Sequence, residues 1–268
     1  MNGLRRYAES TRTSAYAVVL VAPFVVIYEV GILALRLTCG DFHARNGADA
    51  IIRVIVFPLG LQRAGTVGAF LWSTVPVLVL LACYLVWRSR EVEREPLSGR
   101  YAGWLGVESC FWAFALFVGS ASFFSGKLAV AWASTSAVSQ PGAAAGACHV
   151  SAASEIIFNA GAGVYEELVF RVLLVGILVL FCTRILHLER TPGRIAAVVA
   201  GATLFSLVHF GSHPGADAWG GETFWPLFFF RWAAGIYFSA LLYFRGFGVA
   251  VASHALYDNM VTLAALAR

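Results

Sequence analysis

The chain has 268 residues, 59% of them hydrophobic and only 13% charged, with a mean hydropathy of +0.75. A water-facing domain carries about 25% charged residues, so this sequence cannot cover a soluble surface and predicts an all-α, polytopic transmembrane helical bundle. The formal charge of +4 rests on arginines outside the apolar runs, the pattern of topology signals, and no nucleic-acid partner is expected.

Residues 1–13 are polar and include Arg5, Arg6 and Arg12. The run from about Ser14 to Leu37 is too long for a signal-peptide core and lacks a small-residue cleavage site, so it is expected to stay as a first span. It holds Pro23 and Glu29. Residues 38–64 form a polar connector whose stretch Ile51–Pro58 fits a membrane interface. A second span, free of charge, is predicted over about Gly65–Trp87.

Arg88–Arg100 is the most charged stretch and reads as an exposed loop. A third span covers about Tyr101–Gly126 and includes Glu108. Residues 127–153, rich in Ala, Ser and Gly, fit a loop, a re-entrant helix or a poor span. Further spans are predicted at about Ala153–Leu186, Arg194–Phe210, Phe224–Phe244 and Phe247–Leu266. The expectation is seven spans, or eight if 127–153 or 50–64 also crosses. No internal repeat of roughly 20–50 residues points to a solenoid or a duplicated transporter.

With seven spans and the N-terminus in the cytosol, eleven arginines fall on cytosolic segments and six basic residues on the other side. The bias favours that orientation, although Arg36, Arg45, Arg53 and Arg63 work against it. Cys39, Cys83, Cys110, Cys148 and Cys182 stand singly, with neither ligand spacing nor a disulfide framework.

The stretch Asn159–Cys182 is apolar enough for a membrane and yet carries Glu166, Glu167 and Arg171. Each such charge costs roughly 2.5–3.5 kcal/mol on insertion scales, and an ionisable group there reads as functional by default. Glu167 and Arg171 are four apart with the acid first, the favourable order for a pair on one helix face. Glu166 is turned by about 100° from Glu167, which leaves it to face a cavity as a free carboxylate suited to a general base. His209 precedes Gly211 and Pro214, where its helix should end, and His254 and Asp258 again share one face.

Two imidazoles and carboxylates allow two hydrolytic schemes. They can ligate zinc through Glu166, His209 and His254, lowering the pKa of a bound water. Alternatively Glu166 and His209 polarise the water while His254 and Asp258 contact the scissile carbonyl or its oxyanion. Spacing does not separate the two, and no H-E-x-x-H motif is present.

Glu166-Glu167-x-x-x-Arg171, Phe205-x-x-x-His209 and His254-x-x-x-Asp258, in this order on successive apolar spans, resemble the CPBP family of type II CAAX-prenyl proteases and bacteriocin-processing or immunity proteins. The resemblance covers about residues 155–260, with Gly235, Tyr243 and Arg245 as a looser match. It implies an intramembrane endopeptidase that cuts a peptide bond in a membrane-associated or lipid-modified protein or peptide. Glu166 and His209 would activate water, His254 and Asp258 would bind the carbonyl, and Glu167, Arg171 and Phe205 would support them. A glutamate-dependent mechanism is favoured over zinc, so no cofactor is expected. The implied division is 1–150 as an N-terminal region that selects substrate and 151–268 as the catalytic core. A multi-pass protein of a prokaryotic cytoplasmic membrane is the expected setting.

Taken singly, each residue has a plainer role. Glu167–Arg171 reads as a structural ion pair, His209 as an interfacial histidine and Asp258 as a bridge between helices through Asn259. Glu29, Glu108 and Arg231 read as members of buried networks or as helix ends. His43, His149, His187 and His213 read as solvated loop residues. The Gly161-Ala-Gly163 step suits close helix packing. Two other functions use the same residues: a non-catalytic immunity or scaffold protein, and a proton-coupled transporter. A relay predicts polar groups through several spans, whereas 65–87 has no charge.

Overall fold

The computed structural model describes residues 7–8, 10–39, 45–56, 68, 97–124, 152–211 and 224–267, with no strand among them. Seven helices follow in order within these residues: α1 Ser14–Cys39, α2 Gly47–Val56, α3 Gly99–Phe123, α4 Ala152–Ile185, α5 Arg190–Gly211, α6 Phe224–Arg245 and α7 Phe247–Leu266. All except α2 are long and apolar enough to cross a membrane, for which about 20 residues suffice. They fall where the hydropathy pattern puts six of the seven expected spans. The span at 65–87 and the segment 127–151 lie outside the described residues. The described part of α2 is ten residues long.

Outward-facing apolar side chains belong to lipid in such a chain. On α3, Trp104, Val107, Phe111, Phe114 and Val118 recur every three or four residues and are exposed, while Leu105, Ser109 and Ala113 are buried on the opposite face. This is one helical stripe turned to the bilayer and one to the bundle.

The hub is α7, which packs against α1, α3, α4 and α6. It is buried without interruption from Gly248 to Ala255. Gly248, Ala250, Ala252, Ser253 and Ala255 are small enough to let surrounding backbones approach, the usual route to tight packing between membrane helices. At Gly163 of α4, an added Cβ would stand 2.8 Å from the Ala255 backbone nitrogen and 2.9 Å from the Val251 carbonyl oxygen. Gly161 is likewise closed by the ring of Tyr28. The two glycines therefore set how near α4 lies to α7 and α1.

Gly246 alone connects α6 to α7, at φ 94°. Only glycine adopts that backbone without strain. Its N–H donates to the Leu241 and Leu242 carbonyls, both at 3.1 Å, ending α6. Beside it, Arg245 pairs with Glu108 of α3, donating from Nη2 at 2.6 Å, and Tyr7 donates to the same carboxylate at 2.8 Å. Glu108 is thus a member of a polar tie between α3, α6 and the N-terminal segment, not a misplaced helix end.

Candidate active site

The connection between α4 and α5 is short, and Glu166 precedes Ile185 by 19 residues while His209 follows Arg190 by 19. Similar offsets on either side of this turn bring the two side chains near one another. His209 Nε2 lies 3.6 Å from Glu166 Oε2. Both are partly exposed, with side-chain accessibilities of 25% and 13%. His209 Nδ1 sits 2.8 Å from the Phe205 carbonyl oxygen, four residues earlier on α5. A carbonyl only accepts, so Nδ1 carries the proton and Nε2 of the neutral ring is an acceptor.

Glu166 lies 14 residues beyond Ala152, the first residue of α4, well inside the helix. From Glu167 to Leu174 the helix widens into a π-helix, returns to α over Val175–Leu180, and widens again over Phe181–Ile185. No proline or glycine falls within Glu167–Leu174, so no helix-breaking residue explains the wide turns, which in other proteins are frequent at functional sites.

The adjacent acids go to different partners. Glu167 is buried, and its Oε1 is 2.7 Å from His254 Nδ1 and 3.5 Å from Arg171 Nη1. The pairing read from spacing is present, but the imidazole of α7 is the nearer partner. Arg171 is equally buried, with its guanidinium carbon 3.9 Å from the centre of the Phe205 ring. Phe205 thereby serves twice: its ring carries Arg171 and its carbonyl holds His209. The His254 ring is stacked on Phe238, centroids 4.5 Å apart, and its Nε2 is 3.4 Å from Asp258 Oδ2. Glu166 lies within electrostatic reach of both His254 and Asp258. The structure therefore brings together Glu166, His209, His254 and Asp258, with Glu167, Arg171 and Phe205 around them.

Glu166 is not the free carboxylate that the sequence suggests. Asn46, in the turn before α2, donates from Nδ2 to Glu166 Oε1 at 3.2 Å. Behind it lies a buried polar cluster. Tyr28 donates to Asp49 at 2.9 Å, Arg45 to Asp49 at 2.9 Å and Glu29 at 3.3 Å, and Tyr165 to Glu29 at 2.5 Å. Glu29 is accordingly a network member. Asn159, two turns before Glu166, donates to Asn259 Oδ1 at 3.2 Å and Thr262 Oγ1 at 2.9 Å, so the partner of Asn259 is α4.

Zinc would need Glu166, His209 and His254 to converge. His254 Nδ1 is held by Glu167 and its Nε2 faces Asp258. Among the described residues no group of three or more His, Cys, Asp or Glu side chains is arranged to hold a metal ion.

No curated protein and no solved structure matches the chain. Residues 149–260, the stretch that carries Glu166, Glu167, Arg171, His209, His254 and Asp258, match the family model of the type II CAAX prenyl endopeptidase Rce1-like proteins, a match that implies a protease and is consistent with the CPBP family.

Proposed function

We propose that the chain is a glutamate-dependent intramembrane endopeptidase acting on a membrane-associated or lipid-modified protein or peptide. The observation that carries this is the 3.6 Å gap between Glu166 Oε2 and His209 Nε2. It is too long for a direct hydrogen bond and suits a bridging water. Ionised Glu166 and neutral His209 both offer acceptors, so the water donates one hydrogen to each and turns a lone pair toward the substrate. Glu166 takes the proton as the water attacks the scissile carbonyl, and returns it to the amine nitrogen as the C–N bond breaks. His254, its Nδ1 held by Glu167 and its ring fixed by Phe238, donates from a protonated Nε2 to the developing oxyanion, and Asp258 contacts it as the neutral acid. Residues 1–150 select the substrate, and 151–268 carry the chemistry.

The N-terminus is assigned to the cytosol of a prokaryotic cell. The excess of arginines on the segments that share its side supports this orientation.

The test compares membrane peptidomes of cells expressing wild type, Glu166→Gln and His209→Ala. New peptide termini should appear with wild type only, while all three proteins melt within about 1 kcal/mol of one another in stability, as substitutions at partly exposed positions do. Wild-type cleavage by purified Glu166→Gln sinks the mechanism. Activity of the purified protein should survive stringent chelation, and its loss with restoration by zinc would overturn the metal-free scheme.

A further inference from the structure

We infer that Asn46, which lies outside the stretch matched to the protease family, is a positioning residue for Glu166. Its amide holds Oε1 and so turns Oε2 toward His209. The inference rests on the reading of Glu166 as the general base.

The amide has no choice of orientation. Asn46 begins α2: its backbone carbonyl accepts from the Ala50 N–H at 3.0 Å, and its Oδ1 accepts from the Ala48 N–H at 2.9 Å. That is the bonding of a helix N-cap. Flipping the amide would place an NH2 group against the Ala48 N–H, two donors facing each other. The cap therefore commits the oxygen to α2 and leaves the NH2 group for Glu166 Oε1.

The donor is also fixed in place. Asn46 is 7% exposed, and its own N–H donates to the Tyr28 hydroxyl at 2.9 Å. Tyr28 in turn donates to Asp49 in the first turn of α2, and Arg45 ties Asp49 to Glu29 of α1. Glu29 accepts from Tyr165, the residue before Glu166. One network thus anchors both ends of the Asn46–Glu166 bond, so neither side chain needs to be ordered when substrate arrives.

A carboxylate has two oxygens and, unrestrained, turns freely about its last bond. With Oε1 held, Oε2 is presented to His209 and to the water between them. A shift of about 1 Å in such a group can cost on the order of 100-fold in rate.

Asn46→Ser and Asn46→Asp keep an oxygen that caps α2 and remove the amide NH2 group that reaches Glu166; aspartate leaves no donor, and the serine hydroxyl sits one atom short of the lost nitrogen. Serine also avoids the second carboxylate that aspartate sets against Glu166. The probe is an internally quenched peptide with a farnesylated CAAX terminus, cleaved by the full chain in phospholipid nanodiscs. Both variants should lose on the order of 100-fold in kcat, with KM within about twofold and the melting temperature unchanged. A pure cap leaves kcat as in wild type in Asn46→Ser, and that result overturns the inference. So does a melting temperature that falls in step with kcat in both variants, which makes the role structural. Glu166→Gln run alongside separates the two levels. If it is inactive while Asn46→Ser cleaves normally, the positioning role alone fails. If it cleaves, the base assignment fails and the positioning role fails with it.

Discussion

Replacing Arg171 by methionine tests whether the buried pair beside the site is structural. The change keeps a long flexible chain and removes the charge. Arg171 and Glu167 have side-chain accessibilities of 2% and 1%, and Arg171 lies over Phe205 at 3.9 Å. Breaking a buried pair by removing one partner costs about 3–5 kcal/mol, because the other charge is left behind. Glu167 keeps its bond to His254, which softens that cost, while losing the guanidinium from the Phe205 face adds up to about 2 kcal/mol. A net loss of about 3 kcal/mol is expected, seen as a drop of roughly 6–12 °C in a thermal melt of the purified protein at about 2–4 °C per kcal/mol. Glu167→Gln combined with Arg171→Met removes both charges and should recover most of the loss, since a buried pair exchanged for neutral groups is often near-neutral. Arg171→Met melting with wild type refutes this account. A double variant as unstable as the single one refutes it too, because the cost then lies in packing and not in charge.

Gly163→Ala should push α4 from α7 by several tenths of an ångström, since the new Cβ meets the Ala255 backbone at 2.8 Å. A loss of about 1–3 kcal/mol and a fall in cleavage are expected together, read by melting and by the peptide assay. Tyr28→Phe removes the hydroxyl that accepts from the Asn46 N–H and donates to Asp49. It should cost about 1–3 kcal/mol for the stranded buried groups, and hydrogen exchange at the start of α2 should rise.

The spans were legible because lipid demands one simple property, a run of about 20 apolar residues, and α5, α6 and α7 carry that run with clear ends. The pairing of Glu167 with Arg171 was legible because both lie on one helix, where spacing fixes neighbours. Contacts between helices were not. His254 and Glu167 are 87 residues apart, and nothing in either neighbourhood announces a 2.7 Å bond between them. Asn46 is 120 residues from Glu166, and its only local signal is that of a helix cap, Asn before Gly47-Ala-Asp49. Phe238 looks like any other aromatic in a membrane span until α6 places its ring on His254. The wide turns after Glu166 have no breaker in the sequence to mark them.

The single-residue link at Gly246 also bears on how the protein enters its membrane. The headgroup layer on each side of the hydrocarbon is some 5 Å or more thick, and one residue spans at most about 3.6 Å. With so short a link, the facing ends of α6 and α7 lie at one membrane face, and the two helices form a single hairpin across the bilayer. Of the six candidate spans α7 is the least apolar, because it holds His254, Asp258 and Asn259. Its partition into lipid is therefore underwritten by the phenylalanine-rich α6 to which Gly246 ties it, so the helix bearing two of the site's polar groups arrives in the bilayer already accompanied.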